Sequence, residues 1–111
     1  MDNPKFTIFK SHLNDQFYYH LRATNGEIIL NGEGYTTKEH CHTGISSVKH
    51  NALLEHQYSK KDSAGNYTFN LKAGNGEIIG ISENYTTSHG RDNGIAAVKK
   101  DAPEAPIQEL S

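Results

Sequence analysis

The residues best suited to chemistry in this chain of 111 stand together at His40-Cys41-His42. Imidazoles and a thiol are metal-ligand and nucleophile types, and Glu39, three residues before His42, adds a carboxylate at a spacing used in helical metal sites. On a helix, however, neighbouring side chains diverge by about 100°, and ligands that share a face sit three or four residues apart. Structural zinc also needs a complete tetrahedral ligand set, and the sequence offers no second ligand pair here. A Cys-His nucleophile would need an exposed sulfur with a lowered pKa. Cys41 falls early in the expected helix, where the macrodipole favours a thiolate, but it shares an apolar stripe with Ile45 and Val48 and should face inward. Catalytic, metal-binding and cofactor-binding residues are therefore not expected. A thiol- or metal-dependent protein using His40-Cys41-His42, with His89 in support, is the alternative function.

A second candidate occurs twice, as Glu33-Gly34-Tyr35-Thr36-Thr37 and Glu83-Asn84-Tyr85-Thr86-Thr87. Threonine before a helix caps free N–H groups, and a helix start with hydroxyls nearby can accept phosphate or carboxylate. Tyr35, Thr36, Thr37, Tyr85, Thr86 and Thr87 are thus candidate anion-binding residues, with Glu33 and Glu83 counting against an anion. A third candidate is the set Tyr18, His20, Arg22, Thr68, Asn70 and Lys72, which alternation places on the outward face of strands. Aromatic and basic groups on an open sheet can bind single-stranded nucleic acid. The balance of 11 basic and 13 acidic residues provides no basic stripe, so nucleic acid is not an expected partner.

The elements that must position these residues are themselves duplicated. Pairing residues 17–52 with 67–102, without a gap, gives 16 identities in 36 positions, so the chain is a tandem repeat of one unit. Each half is of a size at which one core is marginal, and two halves sharing one core is the easier solution. The expected organisation is a single domain over 1–111, with repeats at about 5–53 and 55–102 and a flexible tail at 103–111.

Within each repeat the apolar period changes once. Residues 5–10 alternate and predict a strand, with a weaker counterpart at 56–60. Phe17, Tyr19, Leu21 and Ala23 share one face of a second strand, as do Tyr67, Phe69, Leu71 and Ala73. Asn25-Gly26 and Asn75-Gly76 then mark tight hairpins. A two-residue turn would pair Ala23 with Ile28; a three-residue loop with left-handed Gly would pair Leu21 with Ile29, Leu71 with Ile79 and Phe69 with Ile81. The second gathers the apolar residues of the later repeat and is preferred, although it places Asn31 where Ile81 stands. Beyond Tyr35 the period becomes helical, from about Thr37 to about His50 and again from about Thr87 to about Lys100. Thr36 with Glu39 reads as a capping box. Gly44 and Gly94 fall in mid-helix at a cost of about 1 kcal/mol against Ala, which implies close approach of backbone from a sheet or another helix.

The order strand, strand, Asn-Gly-Glu, strand, Glu-x-Tyr-Thr-Thr, helix, with Gly-Ile-x-x-Val-Lys inside the helix, resembles the YegP-like family of small bacterial proteins. The segments that carry the likeness most clearly are Leu71 through Ile79 and Asn93 through Lys100. That resemblance implies an α+β fold: two β-β-β-α units forming one antiparallel sheet, pseudo-two-fold symmetric, with two helices packed on one face and some strand exchange between units. It implies no established activity and gives no role to His40-Cys41-His42. The single Cys41, an N-terminus unlike a signal peptide and the lack of a long apolar run point to a cytoplasmic chain. The expected function is a non-enzymatic binding or protein-interaction module built as a fused pseudo-dimer. Its expected partner is another protein or a small anion, and the chain is a monomer or weak homodimer.

Overall fold

Phe6 and Ile8, alternating with polar neighbours, form β1 (Lys5–Lys10), which pairs antiparallel with β2 (Phe17–Arg22) so that Phe6 faces Leu21 and Ile8 faces Tyr19. The chain continues into β3 (Ile28–Asn31) and α1 (Lys38–Asn51). The second half repeats the order with β4 (Tyr58–Ser63), β5 (Asn66–Lys72), β6 (Ile78–Ile81) and α2 (Ser88–Asp101), and ends on β7 (Ile107–Glu109). This computed structural model describes residues 3–110. The strand expected at 56–60 begins later, at Tyr58, because residues 55–57 form a 3-10 turn.

One seven-stranded sheet runs β4-β5-β6-β3-β2-β1-β7, so the repeats join edge to edge at β3 and β6. Each repeat keeps its own first three strands, and β7, which follows α2, adds to β1 of the first repeat as the strand exchanged between the halves. The helices cross between the repeats as well. α1 packs on β1 and β2 and also on β5 and β6, while α2 packs on β5 and on β3 of the first repeat. Phe6, Tyr19, Leu21, Leu30, Phe69, Leu71, Ile45 and Val98 accordingly belong to one buried cluster drawn from both halves.

The hairpin loops have three residues, as expected. Gly26 and Gly76 take φ of 85° and 87°, which glycine adopts without a Cβ penalty, and Ala23 N–H donates to the Glu27 carbonyl at 2.8 Å. The expected pairing fails one step further on. A bulge follows, so Leu21 faces Leu30 rather than Ile29, and Leu71 faces Gly80 rather than Ile79. A bulge sets two residues against one, which lets Ile29 and Leu30 both be buried. It also turns Asn31 and Ile81 to the other face, where Ile81 is 39% exposed, and Phe69 meets Ser82 through a backbone bond of 3.0 Å. The awkward core position foreseen for Asn31 does not exist.

Two further expectations are corrected. The N-cap is Thr37, not Thr36: its side chain accepts from His40 N–H at 3.1 Å, as Thr87 accepts from Gly90 N–H at 2.9 Å. Glu39 therefore stands one position too early to close a capping box. The segment after 102 is not a loose tail, since Ala105 is buried and β7 pairs in parallel with β1, opposite Phe6 to Ile8. Glu109 also reaches Lys38 Nζ and His42 Nε2, each at 3.5 Å. The sheet is thus mixed rather than purely antiparallel.

Candidate functional site

The helix start and the Asn-Gly-Glu hairpin, the two motifs repeated most faithfully, are brought together across the repeats. Tyr35, held by a backbone bridge to Phe17, lies over Gly44 so closely that a Cβ there would sit 2.4 Å from its hydroxyl. This ring is the close neighbour that the mid-helix glycine admits, in place of the backbone contact expected from sequence. Beside the ring, His40, Thr43 and Ser47 extend the same face of α1, because they stand at helical spacing. The opposite wall is Ala73, Asn75, Glu77 and Ile79 from the hairpin of the second repeat, enclosing about 280 Å³.

The second groove is its counterpart at every position. Tyr85 lies over Gly94, with the same 2.4 Å approach. Together with Gly90, Asn93 and Ala97 of α2, it faces Ala23, Asn25, Glu27 and Ile29 of the first hairpin around about 250 Å³. The paired positions Ala23/Ala73, Asn25/Asn75, Glu27/Glu77, Ile29/Ile79, Tyr35/Tyr85 and Gly44/Gly94 are identical. The His40/Gly90, Thr43/Asn93 and Ser47/Ala97 pairs are not.

Each groove has one carboxylate in its lining, Glu77 in the first and Glu27 in the second. Burial raises the pKa of both tyrosines, and acidic neighbours raise it further: Cys41, Glu33 and Glu77 at Tyr35, and Glu83 and Glu27 at Tyr85. One carboxylate thus comes from each repeat onto each phenol. Glu83 accepts from Asn31 Nδ2 at 3.1 Å. Among the described residues the exposed carboxylates of Glu27 and Glu77 enter no ion pair and accept no hydrogen bond; their backbones close the hairpins, each N–H donating to the side-chain oxygen of the Asn two residues before at 3.0 Å and each carbonyl accepting from Ala23 or Ala73 N–H at 2.8 Å.

Of the candidate anion residues, then, Tyr35 and Tyr85 line grooves, Thr37 and Thr87 spend their hydroxyls on helix caps, and Thr36 and Thr86 are exposed. The His40-Cys41-His42 triplet diverges as helical geometry requires. His40 lines a groove, His42 turns to Glu109, and Cys41 is fully buried, its thiol pushed up to about 11 by loss of solvent. Among the described residues no group of three or more His, Cys, Asp or Glu could hold a metal ion. Nothing here supports the thiol or metal alternative. On the outward face, Tyr18 stacks on Phe9 with centroids 6.0 Å apart and His20 lies 5.2 Å from the same ring. Among the described residues no helix is long and apolar enough to cross a membrane.

Sequence reasoning missed the grooves because nothing in linear order says which hairpin meets which helix. The signal available was Glu27 and Glu77, kept in both repeats although a hairpin needs only the Asn-Gly before them.

Known proteins agree with this architecture. The UPF0339 protein YegP of Yersinia pestis is 42% identical over 57 residues, covering 51% of this chain and 51% of that protein. The chain thus spans about half the length of such curated relatives. A UPF0339 protein of Treponema denticola is 48% identical over 48 residues, which are 43% of this chain but 81% of that protein. The solution NMR structure of UPF0339 protein SO3888 from Shewanella oneidensis superposes with a TM-score of 0.90 at 40% identity, covering 98% of this chain and 92% of that one. Residues 13–58 and 62–109 each match the domain of unknown function DUF1508. With its α+β fold of one sheet and two helices, the chain belongs to the DUF1508 family and carries that domain twice.

Proposed function

We propose that the chain is a non-enzymatic binding module built as a fused pseudo-dimer, with two equivalent grooves as its binding sites. In this reading both helices cover the same face of the sheet, an approximate two-fold axis passes between β3 and β6, and the repeats act as one domain. The observation that carries it is the recurrence of one groove, with six of its nine positions identical, each completed by the opposite repeat. The Treponema denticola relative, matched over 81% of its length by 48 residues, about the length of one repeat, supports an origin in which two separate copies supplied the two walls. The fused chain is then a monomer that self-associates weakly at most, and its free, buried Cys41 fits a reducing cytoplasm.

The occupant is another protein or a small ligand. An anion on the tyrosine-threonine segments is disfavoured, since Thr37 and Thr87 cap helices and carboxylates flank both tyrosines. Screening a fragment library against the full chain by amide correlation spectra tests the reading. Shifts should concentrate in residues 23–29 with 90–97 and in 73–79 with 40–47. Hits confined to the outward face around Phe9, Tyr18 and His20 would refute it.

A further inference from the structure

We propose that the hollow at the C-terminal end of α2 is a third binding site, for a small zwitterion of the amino-acid type, with the ligand's ammonium on Asp101. It is separate from the two grooves and independent of them. Asp101 closes α2 and is only 8% exposed. Among the described residues its carboxylate enters no ion pair and accepts no hydrogen bond. Buried polar groups are normally paired, and among the described residues no side-chain oxygen is both sealed from solvent and unpaired. The Asp101 oxygens therefore keep their access to solvent, through the hollow of about 380 Å³ that the residue lines. The first repeat shows what a residue at this position needs. Its counterpart Asn51, also buried, donates to the Ser47 carbonyl at 2.9 Å and accepts from Gln57 Nε2 at 3.1 Å. A carboxylate has no proton to donate, and the residue matching Gln57 is Ile107, which has no side-chain donor. The negative end of the α2 dipole lies at the same place, where it disfavours an anion and favours a cation. Fold stability thus gives no reason for Asp101, whereas a ligand ammonium replaces the missing Gln57 donor. The rest of the lining selects the remainder of the ligand. Glu104 adds an acceptor, Pro4 and Pro106 supply apolar walls, and Asn3 and Lys100 offer donors, with Lys100 in no ion pair among the described residues. A ligand of net positive charge would meet Lys100 as well as Asp101, so the lining fits a cation and an acceptor carried by one molecule. A hollow of this volume suits a small organic ligand.

Titration of the full chain, followed by amide shifts, would use the unbranched amino acids from glycine to 6-aminohexanoate, with n-butylammonium and n-butyrate as singly charged probes. At least one zwitterion should give saturable shifts at Asn3, Lys100, Asp101 and Glu104, and bind more tightly than n-butylammonium. Asp101→Asn carries the side chain that the first repeat has at this position; shown by melting to be folded, it should bind that zwitterion about tenfold more weakly. Lys100→Gln, an exposed substitution, should weaken the zwitterion without weakening n-butylammonium. Absence of shifts at the hollow with every amine, unchanged affinity in Asp101→Asn, or n-butyrate bound as tightly as the best zwitterion would overturn the site. n-Butylammonium bound as tightly as the best zwitterion, or a zwitterion affinity unaffected by Lys100→Gln, would overturn the zwitterionic class.

Discussion

Leu30 and Gly80 hold the same position in the two repeats, and they meet where β3 lies beside β6. A Cβ on Gly80 would sit 2.7 Å from both Cγ and Cδ2 of Leu30, which is itself fully buried. One leucine therefore fills a space that two symmetric leucines would contest. Tyr19 and Gly32 show the same asymmetry beside the seam: the ring occupies the space over Gly32, and its hydroxyl donates across to the Ile79 carbonyl. In the second repeat these positions are Phe69 and Ser82, and the Ser82 hydroxyl instead accepts from Phe69 N–H at 2.9 Å. The repeats have diverged where they touch.

Gly80→Ala should accordingly destabilise the chain by about 1–3 kcal/mol through overpacking, although alanine is the better strand residue. Leu30→Ala alone should cost about 2–5 kcal/mol. In the Leu30→Ala background the Gly80→Ala change should become neutral or stabilising. Urea denaturation of the four proteins measures the coupling, and additive effects would show that the two residues do not compete for one space.

The helix caps give a separation within one dipeptide. Thr37→Ala should cost about 0.5–2 kcal/mol, because it removes the acceptor for His40 N–H. Thr36→Ala should fall within the range of an ordinary exposed substitution, about 0.5 kcal/mol either way. Thermal melting of the two variants checks the assignment, and a larger loss at Thr36 would restore the cap expected from sequence.

Cys41 links the core to pH. Burial raises its thiol from 9.0 to about 11, so the folded state holds a proton that the unfolded state releases. Its contribution is complete below pH 9 and is lost as pH rises from 9 to about 11. Stability should decline across that window, and less steeply in Cys41→Ala than in the parent chain. A thiol reagent should also react far more slowly with the native protein than with the denatured one; equal rates would place the sulfur at the surface.

How far the sequence determined these features depends on whether the determinants are local. Asn25-Gly26 and Asn75-Gly76 reveal their loops because only a left-handed residue completes such a turn. Ile45, Val48 and Ala52 reveal the buried stripe of α1 by spacing alone. The bulge between Leu21 and Arg22 has no such signature: Ile28, Ile29 and Leu30 are equally apolar, and packing beneath the helices decides which two turn inward. Ile107–Glu109 reads as tail because Pro103 and Pro106 precede it, while its partner β1 lies at the other end of the chain. The grooves were hidden for the same reason, since their two walls come from different repeats.

The repeats complete one another, in the core and at both grooves. The most direct test is sedimentation and thermal melting of the fragment 55–111 over a wide concentration range. Deprived of β3 under α2 and of the hairpin at residues 23–29, it has too little apolar surface of its own to fold alone. It should be unfolded at low concentration and gain structure only as a symmetric homodimer, with a melting temperature that rises with concentration. A folded monomer whose melting temperature is independent of concentration would show that neither repeat needs the other and make each a domain in its own right.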